Sequence, residues 1–231
     1  APLEGDKAMI FQDYADQEML AIDVANRLAG DLTAALEHEE RVLFVVPGGS
    51  TPGPVFDALC DARLDWARVD VMLSDERWVP EVHVRSNTRL IRERLLVGRA
   101  AQARYLPLYA KADAPEEVLA ELEAGIVPLL PISVLLLGMG EDMHTASLFP
   151  GADNLEAALA PDAPVLVAMR AQGLPEPRVS LSARVLDGAL CKHMIITGNA
   201  KRTALDRAQS SSALQAPVRA VLDDMVVHWA A

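Results

Sequence analysis

Short unbroken apolar runs alternate along the chain with segments whose apolar residues recur every three or four positions. The runs "VLFVV" (42–46), "VDVML" (69–73), "SVLLLG" (133–138) and "HMIITG" (193–198) read as strands buried on both faces, because a half-exposed strand alternates polar with apolar residues. "AMIFQDY" (8–14) predicts a short extended segment near the start, and "DMVVHW" (224–229) a last strand. From Asp16 to Glu37 the residues Leu20, Val24, Leu28, Leu32 and Leu36 repeat every four positions, which predicts an amphipathic helix. Further helices are expected from Pro52 to about Ala62, over "NTRLIRERLL" (87–96), over "EEVLAELEAGIVPLL" (116–130) and over "NAKRTALDRA" (199–208). "VLVAM" (165–169) and "RVSLS" (178–182) suggest a β pair.

Buried strands alternating with amphipathic helices predict an α/β fold, an open and mostly parallel sheet with helices on both faces. No internal repeat, low-complexity tract or linker interrupts residues 1–231, so one domain is expected. In such sheets ligands bind beyond the carboxyl ends of the strands, near the point where strand order reverses. The residues that directly follow each buried strand are therefore the ones to inspect.

Composition narrows the partners. With 51% hydrophobic and 23% charged residues the chain has a soluble globular profile. Its two cysteines, Cys60 and Cys191, are too few for a disulfide framework and lack metal-ligand spacing, which points to a reducing compartment and no metal. Without a signal-peptide pattern or an apolar run of ~18 residues, a cytoplasmic location is expected. Net charge is −12, from 21 basic and 33 acidic residues, the wrong sign for nucleic acid or an anionic membrane. A small anionic ligand would need local positive charge. The expected assembly is a monomer or weak homodimer.

That local charge is found at the strand ends. After the first buried strand, "PGGSTPGPVF" (47–56) places Gly48, Gly49, Ser50 and Thr51 where free amides can cradle an anion, with Thr51 as N-cap and Pro52 in the first helical turn; an ordinary strand-to-helix turn reads equally well. After the second, "SDERWVPEVHVRSN" (74–87) puts Asp75 and Arg77 at the strand end and Asn87 at a helix start, where they could equally be an ion pair and an N-cap. After the third, "GMGEDMH" (138–144) brings Asp142 and His144 to one glycine-bent end, a pairing that suits a general base at neutral pH. After the fourth, Lys201 and Arg202 occupy a first helical turn, the end where cations are disfavoured by the dipole, which suggests service to an anion; a solvated pair is the plainer account of Arg202. Arg178, leading into a strand, could reach the same anion.

Together "PGGSTP", "SDERWVP" followed by "SN", "LLGMGEDMHTASLFPG", "PRVSLS" and "GNAK" resemble the 6-phosphogluconolactonases, hydrolases of the oxidative pentose phosphate pathway. Their wider, Rossmann-like fold group includes glucosamine-6-phosphate deaminase and ribose-5-phosphate isomerase. The matches run in order from about Val45 to Lys201, and "HTASLFPG" is the most specific. Deaminases carry a glutamate where this chain has Ser147-Leu148-Phe149, which favours the lactonase branch. The resemblance implies cofactor-free and metal-free opening of a sugar-phosphate lactone. His144 would activate water, Asp142 orient the imidazole, Asp75 and Asn87 position hydroxyls or water, and Arg77 stabilise the oxyanion or order its loop. The phosphate would lie on Gly49–Thr51 with Arg178 and Lys201.

Position 143 departs from the pattern, with methionine where the family usually has glycine. If that position requires positive φ, the strain is on the order of 1–3 kcal/mol. Two other readings stand beside the lactonase. A sugar-phosphate isomerase or deaminase needs an extra acid near the ring-opening oxygen. A non-catalytic sugar-phosphate sensor would keep the cradle, lose the histidine, and usually add a helix-turn-helix module for which the chain has no room.

Overall fold

The computed structural model describes residues 7–231. In chain order the main elements are β1 (Ile10–Asp13), α1 (Gln17–Leu36), β2 (Val42–Val46), α2 (Gly53–Leu59), β3 (Val69–Leu73), β4 (Asp75–Arg77), α3 (Asn87–Arg94), β5 (Arg104–Leu106), α4 (Leu119–Ile126), β6 (Val134–Leu137), α5 (Leu155–Leu159), β7 (Leu166–Met169), β8 (Arg178–Leu181), α6 (Ala183–Asp187), β9 (Cys191–Thr197), α7 (Asn199–Gln209) and β10 (Val226–Ala230). Seven strands form one parallel sheet in the order β1-β10-β9-β6-β2-β3-β5. The chain winds outward from β2 through β3 to β5, then returns to β6 and winds the other way through β9 and β10. The reversal falls between β2 and β6.

β2 and β6 are buried along their whole length, as their unbroken apolar runs predict, and so is β3. The helix α1 is capped by Asp16, whose carboxylate accepts the Met19 amide, and buries the five-residue stripe from Leu20 to Leu36 against β2, β6 and β10. One charge interrupts β3. Asp70, buried mid-strand, is gripped by Arg104 from β5 (2.8 and 2.9 Å) and by Arg41 just before β2 (Nη2 at 2.6 Å).

The structure differs from the sequence expectations in several places, among them α4, which spans only Leu119–Ile126, and the unexpected short helices α5 and α6. Residues 75–77 begin the supposed polar loop as a strand, β4. It pairs antiparallel with β8, and β8 with β7, so the anticipated β pair is part of a separate three-stranded sheet. The three-residue strand β5 was not anticipated, being too short to show a period. At α2 the N-cap is Pro52 rather than Thr51, and the helix ends at Leu59. At α3 the cap is Ser86, whose hydroxyl accepts the Arg89 amide, which leaves Asn87 as the first helical residue.

A chain of polar side chains crosses the far end of the sheet beneath α1. The Tyr14 hydroxyl donates to Asp23 (2.5 Å) and lies 2.8 Å from the His228 Nδ1; His228 Nε2 is 2.9 Å from His193 Nδ1, and His193 Nε2 2.6 Å from Asp31. Burial, then the neighbouring His193 and Arg27, pushes the fully buried His228 from 6.5 down to about 3. The unfolded chain thus takes up this proton first, so stability is lost as pH falls from about 6.5 toward 3. Each titrating proton contributes a slope of about 1.4 kcal/mol per pH unit. Urea unfolding at about pH 6 and about pH 4 should show this share of the slope in the parent chain and its loss in His228→Asn. Equal slopes in the two proteins would mean that His228 protonates freely in the fold.

Candidate functional site

A cavity of about 270 Å³ opens at the carboxyl ends of β2 and β6, the point of reversal in the sheet. Gly48, Gly49, Ser50 and Thr51 line it after β2, Asp75, Arg77 and Asn87 after β3, His144 after β6, Arg178 at the start of β8, and Lys201 after β9. Segments some 150 residues apart in the chain, from Gly48 to Lys201, are thereby brought together. Asp142 does not line the cavity; it stands behind His144, largely exposed. Arg202 is elsewhere, apart from Lys201, with its guanidinium over the rings of Phe11 and Trp229.

The alternation of a strand decides which side chains of "SDER" face the cavity. Asp75 and Arg77 lie on one face of β4, and their cross-strand partners Ser180 and Arg178 lie on the same face of β8. Glu76 points the opposite way, into the core. Its carboxylate accepts the amides of Arg77 (2.8 Å), Asn87 (2.9 Å) and Thr88 (2.8 Å), with the Thr88 hydroxyl at 3.0 Å. Burial pushes this carboxyl up, against the opposing pull of those amides. The clamp ties β4 to the first turn of α3. It thereby sets Asn87 against Gly48, where a Cβ would come within 2.2 Å of the Asn87 amide.

Asp75 is fixed by two hydroxyls, Ser74 Oγ on Oδ1 (2.7 Å) and Ser147 Oγ on Oδ2 (2.6 Å). Ser147, Glu76 and Phe149 were not singled out from sequence as acting residues. The motif contained two of them, but only tertiary contact shows what they touch. Phe149 stands between functional groups, with its ring 4.5 Å from the His144 ring and 5.5 Å from the Arg178 guanidinium carbon.

The loop after β6 is closed by local bonds. The Gly140 amide donates to the His144 carbonyl (3.0 Å), the Met143 amide to the Gly140 carbonyl (2.9 Å), and the Thr145 hydroxyl to the Gly138 carbonyl (2.8 Å). Asp142 Oδ1 accepts the His144 amide (3.1 Å) and lies 2.5 Å from His144 Nδ1. That hydrogen bond from the imidazole holds the Asp142 carboxyl below the usual carboxylate range. With Nδ1 engaged by the carboxylate, Nε2 is the imidazole nitrogen left for a ligand in the cavity. Met143 has a φ of 69°, so the position does require the left-handed region, and the Asp142–His144 pair forms with methionine there.

Arg77, Arg178 and Lys201 make part of the lining cationic. Arg178 is 6% exposed and its Nε makes no hydrogen bond; burial and the nearby Arg77 charge lower its affinity for its proton. The Arg77 Nε is likewise buried and unpaired. Among the described residues, no carbonyl takes up the amides of Gly49, Ser50 or Thr51, and Gly49 has a φ of 86°, which turns this backbone in a way a side chain disfavours. These unmet donors suit an anion. Among the described residues, no group of three or more His, Cys, Asp or Glu side chains is placed to hold a metal ion. No helix among them is long and apolar enough to cross a membrane.

Comparison with known proteins agrees with this architecture. The family model for glucosamine-6-phosphate isomerases/6-phosphogluconolactonase matches residues 15–229. A 6-phosphogluconolactonase of Pseudomonas aeruginosa is 41% identical over 211 residues, covering 89% of this chain and 88% of that protein. One of Rhizobium meliloti is 40% identical over 220 residues, covering 92% and 93%. The crystal structure of a 6-phosphogluconolactonase from Shewanella baltica superposes with a TM-score of 0.93 at 31% identity, covering 96% of this chain and 98% of that one. The chain belongs to the glucosamine-6-phosphate isomerase/6-phosphogluconolactonase family.

Proposed function

We propose that residues 1–231 act as one cytoplasmic catalytic domain that hydrolyses 6-phospho-D-glucono-1,5-lactone to 6-phospho-D-gluconate, without metal or redox cofactor. The observation that carries this reading is a single cavity with an Asp-held imidazole on one wall and a buried arginine with an unmet donor on another. The first can activate water and the second can receive a phosphate. Free Cys60 and Cys191 fit a reducing compartment.

In the mechanism, His144 Nε2 takes a proton from water as its oxygen attacks the ring carbonyl carbon. Asp142 holds the tautomer and stabilises the imidazolium that forms. Arg77 faces the negative charge that develops on the carbonyl oxygen. Collapse of the tetrahedral intermediate breaks the bond from that carbon to the ring oxygen. The imidazolium returns its proton to the ring oxygen, which becomes a hydroxyl. The carboxylic acid then loses its own proton to solvent. Asp75 and Asn87 position the ring hydroxyls, and the phosphate is held by Arg178, Lys201 and the Gly49–Thr51 amides. Ser147, in the region where deaminases carry a glutamate, binds Asp75 instead, which favours hydrolysis over isomerisation.

Three variants test these roles. His144→Ala should lower kcat about 10²–10⁴-fold with modest change in KM, measured against the spontaneous opening of the lactone; near-normal turnover removes His144 from the mechanism. Lys201→Ala should weaken phosphorylated ligands about 10- to 150-fold in equilibrium binding. Equally tight binding of gluconolactone without the phosphate would refute the cradle. Gly140→Ala puts a Cβ 2.3 Å from the His144 ring and displaces it, so kcat should fall on the order of 10²-fold while thermal unfolding changes little. Wild-type kcat in that variant would show that the ring does not need this seat.

A further inference from the structure

Arg77 and Arg178 face each other in register across β4 and β8, so two like charges stand side by side on one face. A single carboxylate joins them. Glu176 accepts a forked contact from Arg85, with Nη2 at 2.7 Å and Nε at 3.0 Å, and lies 3.9 Å from the Arg178 Nε. The main-chain carbonyl of Arg85 accepts from Arg77 Nη1 at 2.8 Å. Among the described residues this carbonyl is the one protein acceptor of the Arg77 side chain. The path from Glu176 to Arg77 therefore runs through one residue. Trp78, next to Arg77, donates its amide to the carbonyl of Pro177, next to Glu176, so the two segments are also joined at the main chain. Burial opposes ionisation of Glu176, but the Arg85 hydrogen bond and the charges of Arg85, Arg178 and Arg77 together hold its carboxyl below the usual range.

We propose that Glu176 is a positioning residue for the reaction: through Arg85 it fixes the carbonyl that aims Arg77. The proposal rests on the role given to Arg77 above. It predicts a specific kinetic division. Arg77 acts on the developing oxyanion, so its misplacement appears in kcat. The phosphate keeps Arg178, Lys201 and the loop amides, so KM for the phosphorylated lactone changes little. Loss of the Glu176 charge leaves the cavity more positive, which also works against a rise in KM.

The test is steady-state kinetics of the full chain on the phosphorylated lactone, with thermal unfolding as the control for folding. Glu176→Gln should lower kcat about tenfold with KM within about threefold. Arg85→Lys, which keeps the charge but loses the fork, should do the same, and the double variant should be no worse than either single one. Glu176→Asp should recover part of the loss. In an Arg77→Ala background, Glu176→Gln should add nothing. Additive losses, or a KM that rises as far as kcat falls, would overturn the proposal. If Arg77→Ala is impaired while Glu176→Gln and Arg85→Lys both turn over normally, the positioning role alone is wrong. If Arg77→Ala itself turns over normally, the role of Arg77 fails first and Glu176 falls with it.

Discussion

A carboxylate buried on the side of β4 that faces away from the cavity fixes most of what faces toward it. Glu76 is wholly buried, and an ionised group there must be met by donors or be neutralised. Its acceptors are filled by the first amides of α3, and the geometry of that clamp leaves little freedom in how β4 and α3 meet. Because a strand alternates, a fixed Glu76 fixes Asp75 and Arg77 on the opposite face. Because Asn87 opens α3, the same clamp places its amide beside Gly48. One residue that touches no ligand thus sets the orientation of three that line the cavity.

Charge is organised on the same principle, with net sign and local sign opposed. The chain carries −12, so a phosphorylated sugar meets a repulsive field at long range. The cavity reverses it with Arg77, Arg178 and Lys201. Lys201 and the loop amides are approachable from solvent, whereas Arg178 is buried with an unmet donor. A buried guanidinium N–H without a hydrogen-bond acceptor costs free energy in the empty protein, and an anion that satisfies it offsets that cost. On the proposed reading, selectivity for a phosphorylated ligand would follow from this unmet donor more than from the total of positive charge.

The large sheet was legible in the sequence because its two central strands, β2 and β6, are apolar throughout, and "VLFVV" or "SVLLLG" permits few other readings. The placement of His144 and Lys201 in one cavity followed from a rule about strand ends, whereas Arg178 enters it from the start of β8. What the sequence concealed has a physical cause in each case. β4 is three residues long and carries two acids and an arginine, so no hydrophobic period marks it; pairing with β8 makes it a strand. Ser86 and Asn87 are both good caps, and the choice between them is made by Glu76, which takes the Asn87 amide. Phe149 reads as one more apolar residue until folding brings both an imidazole and a guanidinium against its ring.

Methionine at position 143 shows how the loop after β6 keeps its shape without the residue that conformation would favour. A φ of 69° in a non-glycine residue is strained by roughly 1–2 kcal/mol. Such strain persists where the surroundings determine the backbone from several sides. At Met143 they do: its amide is bound by Gly140, its carbonyl accepts the Val218 amide at 3.0 Å, and its side chain packs against the core. The donor belongs to the short 3-10 helix Pro217–Val221, far along the chain and joined to the loop by that amide. Glycine would relieve the strain but would also enlarge the entropy lost on folding and remove the packed side chain. The two effects oppose one another at similar magnitude, so the Asp142–His144 geometry depends on the closures of the loop and not on the identity of the residue between them.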